Sequence, residues 1–138
     1  MKAISLWQPW ASAIALGHKS IETRGWATRH RGPIAIHAAK RWTADERETA
    51  AVLDERNGLV GLKDAPRGCI VAVAEIASVR PSEHLIEGID EIEEMLGNYG
   101  PGRFGWMLEN VRPLHDPLPF KGKQGLFEVP DELLAGRY

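Results

Sequence analysis

From Gly68 to Val79 the chain reads Gly-Cys-Ile-Val-Ala-Val-Ala-Glu-Ile-Ala-Ser-Val, apolar at odd and even positions alike. Side chains of a strand alternate between two faces, so a run of this kind has to be covered on both. It is the strongest strand signal in the chain, and Pro81 stops it. No apolar stretch approaches the roughly 20 residues that a membrane-spanning helix needs. Glu75 interrupts the run; a carboxylate there either reaches solvent at an edge or is paired in a polar cavity. Glu109 sits in a similar setting between Gly105 and Val111. Cys69 reads as a small core hydrophobe. It is the only cysteine, so no intramolecular disulfide can form, which fits a reducing, cytoplasmic location.

The rest of the chain supplies partners for this strand. Lys2–Leu6, Ser20–Arg24, Ile34–Ala38, Arg103–Leu114 and Leu126–Val129 read as further strands, punctuated by glycine and proline. Pro9 opens a short helix through Trp10 to Leu16, and Gly17 closes it. Thr43 and Glu46 have capping-box spacing ahead of a helix over Ala44–Arg56, with Ala44, Ala51, Val52 and Leu53 as its apolar positions and Asn57-Gly58 as its end. Ser82–Leu96 reads as helical in part, with Leu85, Ile89, Ile92 and Leu96 inward, and Pro130–Leu134 as a short closing helix. The expected class is α+β, mainly β: a single domain over residues 1–138 with about six strands and two to three flanking helices. Without regular βαβ alternation, that order favours a closed or partly closed barrel over a doubly wound parallel sheet.

The formal net charge of −2 speaks against a generic DNA-coating protein, but it hides a segregation. Lys19, Arg24, Arg29, Arg31, Lys40 and Arg41 fall in one stretch that holds a single acid, Glu22, and Lys121 and Lys123 form a second basic segment. Residues 81–96 hold six acids and no Lys or Arg, which reads as a solvated outer face. The five tryptophans, Trp7, Trp10, Trp26, Trp42 and Trp106, are many for so short a chain. Two or three are expected in the core, leaving the others for a binding surface. Basic residues interleaved with tryptophan and glycine are what a phosphate and a base require.

In Gly17-His18-Lys19-Ser20-Ile21-Glu22-Thr23-Arg24, strand alternation puts Ser20, Glu22 and Arg24 on one face. Lys19 follows a glycine turn and can swing to either side. The Glu22/Arg24 pair is either a surface ion pair worth under about 1 kcal/mol or a carboxylate held oriented for chemistry. The histidines show no HxH, HExxH or Cys/His spacing, and there is no P-loop, GxGxxG or GxSxG element. No metal and no cofactor are therefore expected.

The segment Leu6-Trp7-Gln8-Pro9-Trp10-Ala11, followed by Gly17-x-Lys19-x-x-Glu22-x-Arg24, then Ile34-Ala35-Ile36-His37-Ala38-Ala39-Lys40, Gly105-Trp106-x-Leu108-x-Asn110-Val111 and Pro119–Phe127, resembles the signature of the ASCH domain family over nearly the whole chain. That resemblance implies a PUA-like β-barrel with helices flanking a cleft, and a role in RNA handling. Some members hydrolyse acylated cytidine, and ribonuclease activity has been ascribed to others. Where the amidohydrolase branch carries a threonine nucleophile, this chain has Glu22, so that acyl-transfer mechanism does not carry over. Thr23 is adjacent but alternates to the opposite face.

The expected partner is single-stranded RNA or a nucleotide. Lys19, Arg24, Lys40, Lys121 and Lys123 would meet phosphates, and Trp7, Trp26 or Trp106 would stack a base. Gln8, Glu22 and Gln124 would read a base edge, with His37 beside them. The alternatives are a hydrolase of RNA or N-acylated nucleosides in the same cleft, with Glu22 as base and Lys19 and Arg24 around it, and a protein-interaction module built on the tryptophans.

Overall fold

The computed structural model describes residues 1–138 as six strands and four α-helices. The strands are β1 (Lys2–Leu6), β2 (Ile21–Arg24), β3 (Gly32–Ala38), β4 (Cys69–Pro81), β5 (Phe104–Pro119) and β6 (Phe127–Glu128). The helices are α1 (Trp10–Ala15), α2 (Ala44–Arg56), α3 (Glu91–Met95) and α4 (Asp131–Leu134). They form one mixed sheet in the order β2-β5-β4-β3-β1-β6, in which β1 and β3 are parallel and every other pair is antiparallel.

β4, the doubly apolar run, lies in the interior of the sheet between β3 and β5. Its residues Cys69–Ala74 are all buried, because each face has its own core. On one face Ile4, Leu6, Ile34, Ile36, Ala72 and Ala74 pack with Ala11 and Ile14 of α1 and with Trp106. On the other, Ala3, Ala35, Ile70 and Val73 pack with Leu114, Phe127 and Leu134. A third cluster joins Ala13 to Ala50 and Leu53 of α2 and to Leu62 and Leu96.

Of the closed or partly closed barrel that was expected, the strand pairing gives a six-stranded mixed sheet and no full closure. β2 and β6 stand at opposite ends of the ladder and do not pair. β6 already occupies the outer edge of β1 at Lys2 and Ala3. The sheet curls instead until a side chain spans the gap: Arg24 Nη2, at the end of β2, donates to the Ser5 carbonyl of β1 at 2.8 Å.

Two other expectations are corrected. α2 buries Glu46, Ala50 and Leu53, while Val52 is exposed. The Glu46 carboxylate is buried because both Arg41 Nε and the Thr43 hydroxyl donate to it. The acidic segment is a short 3-10 turn at Ser82–His84 followed by α3, and it is not simply a solvated face. Glu93 is buried and accepts hydrogen bonds from the Ser20 amide and hydroxyl, both at 2.7 Å, which pins α3 to the start of β2.

Candidate nucleic-acid interface

A cleft of about 1200 Å³ opens at the ends of β1 and β3, beneath the loop that joins β5 to β6. β2 contributes Arg24, the segment just after β3 contributes Lys40, two residues beyond the strand, and the loop contributes Lys121, Lys123 and Gln124. Trp7, 52% exposed, and Trp26, 37% exposed, stand at its walls. Not one of its fifteen lining residues is Asp or Glu. In a chain with a slight negative charge, four cations around an acid-free concavity set up a local positive potential.

Local geometry fixes several of these groups. The stem of Lys40 lies over Gly68, whose Cβ would come within 3.0 Å of Lys40 Cγ and Cε. Gly68 also has φ +67°, a left-handed conformation that suits glycine. The Arg41 guanidinium sits 4.1 Å from the centroid of the Trp7 ring, covering one face of it and leaving the other. Trp26 meets Trp106 edge to face at 4.8 Å. Arg24 is held on two sides, by Glu22 Oε2 at 3.0 Å from Nε and by the Ser5 carbonyl from Nη2, and its Nη1 has no partner within the protein.

A second chamber of about 570 Å³ adjoins the first and shares Ser5, Trp7 and Arg24 with it. Glu22 opens here, beside Thr23, Asn98 and Arg103. Glu22 and Arg24 are therefore brought together as the alternation required, but at a wall between two chambers.

Three expected contacts lie elsewhere. Lys19 does not swing freely. It is 1% exposed; its Nζ donates to the carbonyls of Ile21 at 2.5 Å and Leu96 at 3.0 Å and lies 3.7 Å from Glu22 Oε1. Burial pushes its pKa down, and the Glu22 carboxylate opposes that shift. Gln8 is fully buried, its side chain bonded to Ser12 and to the Pro66 carbonyl. Trp106 is 0% exposed and donates from Nε1 to the Trp26 carbonyl at 3.2 Å, so its faces are not open to a base. Trp106 and Lys19 instead support lining residues, Trp26 and Glu22 respectively.

His37 lines the cleft, yet both ring nitrogens are engaged: Nδ1 with Ser5 Oγ at 2.8 Å and Nε2 with the Phe120 carbonyl at 2.7 Å. Burial moves its pKa below 6.5, partly offset by the carbonyl. Glu75 and Glu109 lie outside both chambers, facing each other across β4 and β5, with Asn110 Nδ2 donating to Glu75 at 3.1 Å. No group of three or more His, Cys, Asp or Glu side chains is close enough to hold a metal ion.

Ser5 and Gly122 were passed over as site residues. Ser5 had a signal: it is the one polar residue within Ala3-Ile4-Ser5-Leu6. Gly122 had none beyond its place between two lysines.

A curled mixed sheet with two buried cores and a cationic cleft at one end defines the fold class. Residues 4–118 match the ASCH domain family, and the chain belongs to it. It is 25% identical over 140 residues to activating signal cointegrator 1 of both mouse and human, covering 96% of this chain. It spans only 23% of the length of those relatives. Among solved structures, ASCH from Zymomonas mobilis superposes with a TM-score of 0.59 at 17% identity, covering 96% of this chain and 89% of that one. A point mutant of the same protein gives the same score at 16% identity. No helix is long and apolar enough to cross a membrane.

Proposed function

We propose that the chain is one ASCH unit that binds single-stranded RNA or a nucleotide in the acid-free cleft. The observation that carries this reading is the set Arg24, Lys40, Lys121 and Lys123 around a concavity with no carboxylate, beside two accessible indoles. Cations neutralise phosphates and release counterions, so affinity falls as salt rises, with a slope of about −0.7 per contacted phosphate on a single strand. The free face of Trp7, or Trp26, stacks a base, at about 1–3 kcal/mol each. The curl that brings Arg24 to β1 supports a PUA-like, barrel-type reading of the sheet. Titration of single-stranded RNA at two salt concentrations tests the function. Binding that weakens with salt and with Lys121→Ala plus Lys123→Ala supports it; salt-independent binding, or none, overturns it.

A second reading has one observation in its favour. The Glu22 carboxylate, oriented by Arg24, opens into the adjoining chamber, where it can act as a general base on RNA or an N-acylated nucleoside. Lys19 takes no direct part, because its ammonium is engaged by two main-chain carbonyls. Equal product from wild type and Glu22→Ala would end this reading.

A further inference from the structure

Ser5 and His37 are direct neighbours in the parallel ladder between β1 and β3. Their side chains point to the same face and meet at 2.8 Å, while His37 Nε2 lies 2.7 Å from the Phe120 carbonyl oxygen. A carbonyl can only accept, so Nε2 carries the ring proton. His37 is 2% exposed, and burial disfavours the imidazolium. The ring is therefore neutral, Nδ1 presents a lone pair, and the bond to Ser5 needs the serine hydroxyl hydrogen. Serine has one such hydrogen and two lone pairs. With the hydrogen committed to His37, Ser5 Oγ can offer the cleft only lone pairs.

We propose that Ser5 Oγ is an obligate hydrogen-bond acceptor at the junction of the two chambers and selects a nucleobase that presents an N–H donor. This rests on the nucleotide-binding reading of the cleft. Ser5 lines both chambers beside Arg24, and Arg24 Nη2 holds its carbonyl, which fixes the strand at that point. Phosphate and carbonyl oxygens are acceptors too, so Ser5 repels them. They belong with Lys40, Lys121 and Lys123, and the base edge belongs at Ser5. Gly122 keeps the position open. A Cβ there would fall 2.6 Å from His37 Cε1, 2.8 Å from Nδ1 and 3.2 Å from Ser5 Oγ. Only a residue without a side chain lets the loop close beside the pair without crowding the acceptor.

The probes are the four ribonucleoside 5′-monophosphates and single-stranded RNA tetramers of the same bases. Each is compared with a version lacking the base N–H: purine riboside for adenosine, 2-pyrimidinone riboside for cytidine, 3-methyluridine for uridine and 1-methylinosine for guanosine. Binding to the full chain is followed by tryptophan fluorescence and calorimetry. At least one parent is expected to bind about tenfold or more tightly than its donor-free partner, since an acceptor left unpaired in a cleft is costly. In Ser5→Ala that ratio is expected to shrink below about threefold, and in Ser5→Thr, which keeps the hydroxyl, to persist. Parents that bind while every donor-free partner stays within about threefold overturn the Ser5 assignment and leave the cleft reading standing. So does a ratio that survives unchanged in Ser5→Ala, which would trace it to another acceptor in the cleft or, for the two methylated probes, to added bulk. If no probe binds at all, the cleft reading falls and this inference with it.

Discussion

Lys19 and Lys40 lie at the two ends of one basic stretch of sequence, and the molecule treats them in opposite ways. Lys19 is sealed beneath β2, its ammonium shared between two carbonyls and near Glu22, with Glu93 of α3 fastened to the next residue. Lys40 stands in the open, its stem laid over a glycine and its head in an acid-free concavity. A cation whose ammonium is buried and held by main-chain carbonyls secures the fold; a cation with no partner in the protein is available to a ligand. Trp106 and Trp26 repeat the contrast in aromatic form, one wholly enclosed and the other at the wall of the cleft.

The contrast can be broken by experiment. Trp106→Ala removes a fully buried indole and its hydrogen bond to Trp26, and is expected to cost about 3–5 kcal/mol in urea denaturation. Lys19→Met keeps the volume but strands two carbonyls and leaves Glu22 short of a neighbour, for a loss of about 3 kcal/mol by the same measurement. A fully stable Lys19→Met protein that had lost RNA affinity would reverse the roles given to the two lysines. Trp26→Ala is expected to lower RNA affinity by about 1–3 kcal/mol if Trp26 carries the stack, read by titration of a fluorescently labelled RNA. Lys121→Ala plus Lys123→Ala should flatten the plot of log affinity against log salt by about 1.4, two phosphates' worth, with little change in denaturation midpoint. The smallest effect belongs to His37. Its folded pKa lies below the unfolded value of 6.5. Above pH 6.5 both states are neutral and its contribution is complete. As pH falls from there toward the folded pKa, the unfolded chain takes up the proton first and stability declines. His37→Asn should remove that part of the pH dependence below pH 6.5.

The strands were largely legible because their signal is local. Double-faced apolarity marked β4, the alternation of Ile34, Ile36 and Ala38 marked β3, and Thr43 and Asn57-Gly58 marked the two ends of α2, although Thr43 and Glu46 bond to each other by their side chains and form no capping box with the main chain. Closure was not legible, since it depends on which edges pair: the short strand expected at Leu126–Val129 is present as β6, but nothing in the sequence says that it pairs with the outer edge of β1. For the site, Trp7, Arg24, Trp26, His37, Lys40, Lys121, Lys123 and Gln124 do converge on one cleft. Lys19, Gln8 and Trp106 were misplaced for one reason: residue type gives the chemistry of a side chain but not which main-chain groups will claim it. Ser5 shows the reverse. Its partner is 32 residues away and becomes a neighbour only through the parallel register.

Arg24 has a consequence for the whole molecule. One planar group spans the sheet from edge strand β2 to β1, divides the two chambers, and keeps Nη1 unspent. Whatever recruits that guanidinium also pulls on the seam it stitches, so the girth of the sheet and the filling of the cleft are tied to the same few N–H bonds.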